Sequence, residues 1–312
     1  MEVRAKLQII VPCYNEQAVI DEYYERTTKA LVEAGVDDYA LLFVDDGSLD
    51  DTRNRIEALA EKDDAVHGVI LSRNFGKEAA IYAGLDATRN AEYVAVMDVD
   101  LQDPPELLPE MLSMVQGRVC DRAAAFRTTR DGEPVIRSWF ARRFYRVMNR
   151  LADLDLKDGA RDYSVMSRRF ADAVLRCGEY NRFTKGLFGW VGFETSWVGY
   201  THEDRKAGES KWSFWGLVRY AIDGIIAYST KPLDAVVLTG VLVSIAAFLL
   251  MVFVIVRALL FGDEVAGWPS LMTVMLLSLG FVLLALGVVG QYVAKLYLEV
   301  KKRPLYIVER EI

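Results

Sequence analysis

Short apolar runs alternate with amphipathic stretches through the first half of the chain. Residues 7–11, 40–44, 66–71 and 93–97 are nearly continuous apolar runs. Runs of this length, apolar on both faces, predict strands buried on two sides. Between them, residues 16–34, 50–61 and 76–88 read as helices. Strands alternating with helices predict an α/β domain with a mostly parallel sheet covered on both faces. Each predicted strand ends in polar residues: Tyr14-Asn15-Glu16, Asp45-Asp46-Gly47-Ser48, Arg73-Asn74 and residues 98–103. Open α/β sheets bind ligands at the carboxyl ends of their strands, so the chemistry is expected along one rim. Neither GxGxxG nor GxxxxGK[ST] follows the first strand, and a nucleotide must be held another way.

The pattern changes after Lys231. Residues 235–256 and 265–294 carry no charged side chain. A helix of about 22 residues spans about 33 Å, enough for a hydrocarbon core of about 30 Å. Core helices rarely lack charge on every face, so these segments predict a two-helix transmembrane hairpin, about 233–259 and 269–294. Lys231 precedes the first span, and Lys295, Lys301, Lys302 and Arg303 follow the second. The intervening loop carries Asp263 and Glu264, with Arg257 its only nearby cation. The positive-inside rule then places both ends of the hairpin in the cytoplasm. Residues 7–11 are too short for a signal-peptide core, so the chain is expected to start on that side too.

Residues 134–153 interleave Arg137, Arg142, Arg143, Arg146 and Arg150 with aromatic residues. Such a helix fits an anionic membrane surface, and equally a solvated face over an ordinary core stripe. The expected organisation is a cytoplasmic catalytic domain (1–210), an interfacial amphipathic helix (211–232), the two membrane helices (233–298) and a cytoplasmic tail (299–312). A net charge of −7 excludes a globally basic, nucleic-acid-binding footprint. Cys13, Cys120 and Cys177 lack paired spacing, which argues against disulfides and zinc. His67 and His202 have no partner spacing for metal or triad chemistry and read as structural or solvated.

Asp98-Val99-Asp100-Leu101-Gln102-Asp103 is the strongest local signal. Carboxylates one residue apart, followed by an amide oxygen, are hard ligands that suit Mg²⁺ or Mn²⁺. Two carboxylates alone hold Mg²⁺ weakly, and a diphosphate would complete the shell. The same string also fits a solvated acidic turn capping the next helix. A carboxylate at Asp45 or Asp46 can accept hydrogen bonds from a base or ribose, while Ser48 or Asp50 fits a helix N-cap. Tyr14 can stack on a base or serve the turn alone.

Taken together, these motifs resemble the family 2 glycosyltransferases of the GT-A fold. The nearer likeness is to the polyprenyl-phosphate glycosyltransferases, including bactoprenol glucosyltransferases and dolichyl-phosphate mannose synthases. The matching strings are Val11-Pro12-Cys13-Tyr14-Asn15-Glu16, Val44-Asp45-Asp46-Gly47-Ser48, Ser72-Arg73-Asn74-Phe75-Gly76-Lys77, Asp98 through Pro105, and Arg205-Lys206-Ala207-Gly208-Glu209-Ser210-Lys211. The resemblance covers residues 7–232, and two C-terminal spans match the bactoprenol type.

The resemblance implies a GT-A domain followed by the membrane hairpin, and it implies roles position by position. Pro12, Tyr14, Glu16, Asp45 and Asp46 match nucleoside contacts, with Arg73 and Lys77 near the nucleotide or its phosphates. Asp98 matches a position near sugar and metal, with Asp100 and Gln102 as metal ligands. Arg205, Ser210 and Lys211 match a loop closing over the diphosphate. Arg127 and Arg130 would meet the acceptor phosphate. Asp162 stands where related enzymes carry an acidic residue near the acceptor, as a base or as an orienting group.

The expected reaction is inverting transfer of a hexose, glucose first, from a UDP-sugar to undecaprenyl or another polyprenyl phosphate. Membrane lipids are further partners, and the resemblance allows a homo-oligomer. GDP-mannose with dolichyl phosphate, an N-acetylglucosamine donor and an aminoarabinose donor stay open. A processive synthase is disfavoured by the absence of a QxxRW-like motif, and a non-catalytic adaptor by the intact acidic motif.

Overall fold

The computed structural model describes residues 5–128, 157, 159–200, 224–226, 229–261 and 267–312. The basic segment 134–153, Arg130, Arg205, Ser210, Lys211 and most of the segment 211–232 lie outside the described residues. The chain divides into two compact units, Met1–Val218 with Arg303–Ile312, and Arg219–Lys302.

The first unit is built on β1 (Leu7–Cys13), β2 (Tyr39–Asp45), β3 (Val66–Leu71) and β4 (Tyr93–Val96), joined by α1 (Ile20–Glu33), α2 (Thr52–Lys62) and α3 (Lys77–Ala87). These four strands are mutually parallel, as the alternating pattern predicts. After α4 (Leu108–Gln116) come β5 (Arg122–Arg127), β6 (Ala160–Ser167), α5 (Arg168–Arg176), α6 (Thr184–Trp190) and β7 (Thr195–Tyr200), with β8 (Val308–Glu311) at the chain's end. Among the described residues the sheet runs β7-β5-β6-β4-β1-β2-β3-β8. Only β6 and β8 oppose their neighbours, so the sheet is mixed and mostly parallel, a GT-A-type architecture.

Both faces of the sheet are covered, which is why the strands read as unbroken apolar runs. Ile9, Val11, Leu41 and Phe43 pack in one core with α1, α2 and α4. Ile10, Leu42 and Val44, the alternate residues, pack in a second core with α3, α5 and α6. The second core brings α3 unusually close to β1. A Cβ at Gly84 would stand 2.2 Å from Ile10 Cγ2. Two details depart from the sequence pattern. The first helix begins at Ile20 rather than near residue 16: residues 16–19 form a separate turn closed by Val19 N–H donating to Glu16 O at 3.0 Å, and the helical ladder starts with Tyr23 N–H to Val19 O at 2.9 Å. The final residues form β8 on the β3 edge, where Ile312 and Gly68 exchange backbone hydrogen bonds of 2.8 and 3.0 Å. Val-Glu-Arg-Glu has no apolar alternation to announce a strand. Its charges suit an exposed sheet edge, where they discourage pairing with another chain.

The second unit holds α7 (Lys231–Phe261) and α8 (Trp268–Lys301). Lys231–Val254 and Leu271–Lys301 are strongly apolar and exposed along most of their length. Leu249, Phe253, Leu277 and Leu284 are exposed. Helices of this length and composition are long and apolar enough to cross a bilayer.

The Gly84 contact generates a test of the α3–β1 packing. Gly84→Ala overfills a site with no room for a methyl group and is expected to cost about 1–3 kcal/mol. Thermal unfolding of the purified protein should show a lower Tm, and an unchanged Tm would contradict the packing.

Candidate functional site

The strand order reverses beside β1, with β2 and β3 on one side and β4 on the other. A crevice is expected outside the carboxyl ends at such a switch point. The polar strand ends identified in the sequence gather there, held to one another by hydrogen bonds.

The β1 and β2 ends are laced together first. Asn15, at φ 54°, donates its N–H to Ser48 Oγ at 2.9 Å, and its Oδ1 accepts from Leu49 N–H at 2.8 Å. Gln17 N–H donates to Asp50 Oδ2 at 3.3 Å, and Gln17 Oε1 accepts from Asp51 N–H at 2.8 Å. Pro12, Tyr14 and Glu16 are half-buried on this rim.

The β2 end reaches across to β3. Asp46 accepts from Phe75 N–H at 2.7 Å and Gly76 N–H at 2.8 Å. The two loops approach so closely that a Cβ at Gly47, whose φ is +69°, would lie 2.4 Å from the Arg73 carbonyl carbon. Asp45 is fully buried and accepts from Ser48 N–H at 3.2 Å. Burial pushes both carboxyls up, against the hydrogen bonds that favour their charged forms. The structure thus uses both aspartates to shape the loops that border the rim. Arg73 is exposed and lies over the Phe75 ring at 4.3 Å.

The β4 end carries the acidic string. Val99, Leu101 and Asp103 are buried, while Asp98, Asp100 and Gln102 between them are half-buried. Leu101 adopts φ 54°, a costly conformation for a bulky residue. Its side chain is anchored in the core, which holds the turn in place. The backbone beyond is fixed by Asp103, which accepts from Arg161 Nε at 3.1 Å and from the Tyr200 hydroxyl. Tyr163 OH donates to Pro104 O at 3.0 Å. Gln102 Oε1 accepts from Arg161 Nη2 at 2.9 Å, so the side chain expected to ligate a metal is engaged by an arginine here.

At the centre, Lys77 Nζ lies 2.7 Å from Asp98 and 2.7 Å from Asp162. Lys77 opens α3, Asp98 follows β4, and Asp162 lies on β6 beside β4. The antiparallel pairing of β6 with β4 brings Asp162 to the rim. Burial alone would push the Asp162 carboxyl up. The charges of Lys77, Lys185 and Arg161 outweigh it and hold the pKa well below the usual carboxylate range. Asp162 is therefore a firmly ionised group and a poor proton acceptor. Arg127 ends β5, two strands from β4. Sequence reasoning passed over Arg161 and Lys185; the charge beside Asp162 was the available signal for Arg161, and nothing local marks Lys185.

The donor set fits a divalent cation only in part. Asp98 and Asp100 offer hard oxygens, but among the described residues no group of three or more His, Cys, Asp or Glu side chains could hold a metal ion. A cation here would take further ligands from phosphate or water, and would share Asp98 with Lys77.

The family model described as glycosyl transferase family 2 matches residues 8–175. The chain is 40% identical to the glycosyltransferase YkcC of Bacillus subtilis, over 99% of this chain and 95% of that one. It is 35% identical to the SfII prophage-derived bactoprenol glucosyl transferase of Shigella flexneri, over 98% of each. Among solved structures, glucosyl-3-phosphoglycerate synthase from Mycobacterium tuberculosis aligns over 72% of this chain and 80% of that one, at 20% identity and a TM-score of 0.46.

The state of Asp162 has a pH consequence. A depressed carboxyl pKa keeps the group charged throughout about pH 5 to 8, so its titration should leave no acid limb in activity there. A rate profile measured on wild type and Asp162→Asn checks this. An acid limb near neutrality that disappears in the variant would contradict it.

Proposed function

The chain belongs to glycosyl transferase family 2, and from that premise we propose that this glycosyltransferase moves glucose from UDP-glucose to undecaprenyl phosphate or a related polyprenyl phosphate. The observation that carries the reading is the ion-paired cluster of Asp98, Lys77 and Asp162, beside Asp100 at the switch point of the sheet. The near-full-length likeness to proteins named bactoprenol glucosyl transferase supports the acceptor class.

The proposed step is a single displacement. A phosphate oxygen of the acceptor attacks the anomeric carbon, the bond from that carbon to the UDP oxygen breaks, and UDP leaves with the bonding electrons. Configuration at the anomeric carbon inverts. The attacking oxygen is already anionic near pH 7, so no proton need be removed. What the site must supply is positioning and compensation of negative charge. Lys77 is the described cation nearest the acidic string and meets both substrates' phosphates as charge compensation. Asp162, kept ionised, orients Lys77 and accepts hydrogen bonds from sugar hydroxyls. Pro12, Tyr14 and Glu16 border the nucleoside, with Asp45 and Asp46 shaping the loops behind them. Asp98 and Asp100 would hold Mg²⁺ or Mn²⁺, which would supply charge stabilisation to the leaving diphosphate.

The two apolar helices anchor the protein in the membrane that contains the lipid acceptor. Lys231, Lys295, Lys301 and Lys302 around them favour a cytoplasmic catalytic unit. Arg127 and Arg130 face the acceptor phosphate in this reading, and Arg205, Ser210 and Lys211 close over the diphosphate.

The test is transfer of radiolabelled sugar from a panel of nucleotide-sugars to undecaprenyl phosphate by the full-length protein. UDP-glucose should be the best donor. Asp100→Ala should reduce transfer about a hundredfold or more while the variant still folds and inserts. Transfer at the wild-type rate by Asp100→Ala would refute the role of the acidic string.

A further inference from the structure

Two of the loops that border the donor site have a second attachment, at the far end of the sequence. The first runs through the backbone. Ser72 N–H donates to Ile307 O at 3.0 Å, just beyond the β3–β8 ladder. Ser72 directly precedes Arg73, and the same loop supplies the amides of Phe75 and Gly76 that Asp46 accepts. Tyr306, next in the tail, donates its hydroxyl to Asp86 Oδ2 on α3 at 2.6 Å and meets the Tyr82 ring edge-on.

The second attachment is made of charge. Arg53 lies on α2, with its Nη1 and Nη2 donating to the two oxygens of Glu309 on β8 at 3.3 and 3.1 Å. A forked pair of this kind fixes the guanidinium plane as well as its position. The other edge of the same guanidinium faces the donor site. Arg53 Nε is 3.9 Å from Asp45 Oδ2, a charge contact longer than a hydrogen bond. Asp45 is fully buried, and Arg53 is the cation that offsets the burial of its carboxylate. Asp50 adds a negative charge beside Asp45, while the neighbouring Asp46 has Arg73 as its own nearby cation. Glu309 therefore fixes where the compensating positive charge stands.

We propose that two contacts of the C-terminal segment position the nucleotide site: Glu309 holds Arg53 against Asp45, and the Ile307 carbonyl holds the Ser72–Gly76 loop. Glu309 touches no substrate in this scheme. It acts through Arg53, and Glu309 and Ile307 thereby become positioning residues of the donor site. The inference rests on the functional reading above, because it assigns nucleotide binding to the β1–β3 rim.

The other ion pair of the strand supplies the control. Arg310 pairs with Glu57, one turn along α2 from Arg53, and so ties the same strand to the same helix without the Arg53–Asp45 contact. A strand that merely braced the sheet would depend on both pairs alike. The experiment is calorimetric titration of UDP with Mn²⁺ into the full-length protein, with KM and kcat for UDP-glucose, for wild type, Glu309→Gln, Glu309→Asp and Arg310→Ala. Glu309→Gln should weaken UDP binding and raise KM by about threefold to tenfold, the scale of one charge-assisted contact, with kcat and Tm nearly unchanged. Glu309→Asp should recover part of the loss, and Arg310→Ala should leave binding and KM as in wild type. Equal UDP affinity in wild type and Glu309→Gln would overturn the proposal, as would an equal loss in Arg310→Ala. A wild-type protein that binds no UDP would overturn the functional reading itself, and the two failures are thus separable.

Discussion

The site is organised around one buried-edge ion cluster, in which the Lys77 ammonium is shared by Asp98 and Asp162. Its three members come from the start of a helix, the end of a parallel strand and an antiparallel strand. They meet only if β4 pairs with both β1 and β6 and α3 packs against the sheet. The close Gly84–Ile10 contact and the double-sided core are thus requirements of the chemistry as well as of stability. Like charges at this distance would repel without the lysine, and the lysine would be an isolated cation without them.

Around this cluster, buried carboxylates serve as struts. Asp46 ties the β2 end to the β3 loop, Asp103 ties the β4 end to Arg161 and Tyr200, and Glu78 accepts from Thr184 N–H at 2.8 Å. Each satisfies backbone or side-chain donors that would otherwise be buried without partners. This division of labour explains why the rim contains more acidic residues than a metal and a nucleotide require. Asp98 and Asp100 stay half-exposed at the rim, while Asp45, Asp46 and Asp103 are buried in the loops that build it.

Much of this was legible beforehand, for reasons that can be named. The four parallel strands are two-sided apolar runs whose polar ends mark the rim, and doubly buried strands have little other way to read. The acidic string stood out because two carboxylates one residue apart are followed closely by an amide oxygen and a third carboxylate. The non-local features were not legible. Strand β8 is short and charged, and only its pairing with β3 makes it a strand. Arg53 and Glu309 are separated by most of the chain, and Arg161 gains its meaning only when β6 lies beside β4. The engagement of Gln102 by Arg161 likewise depends on a contact across the sheet, which no spacing reveals.

The central claim is that the acidic rim, with a divalent cation, grips a nucleoside diphosphate. Titration of UDP into the full-length protein, with Mn²⁺ and again after chelation, for wild type and Asp98→Asn, tests it most directly. The account expects wild-type affinity to fall by about tenfold or more when the metal is removed, and Asp98→Asn to bind equally weakly with or without it. Tight, metal-independent binding shared by both proteins would contradict it.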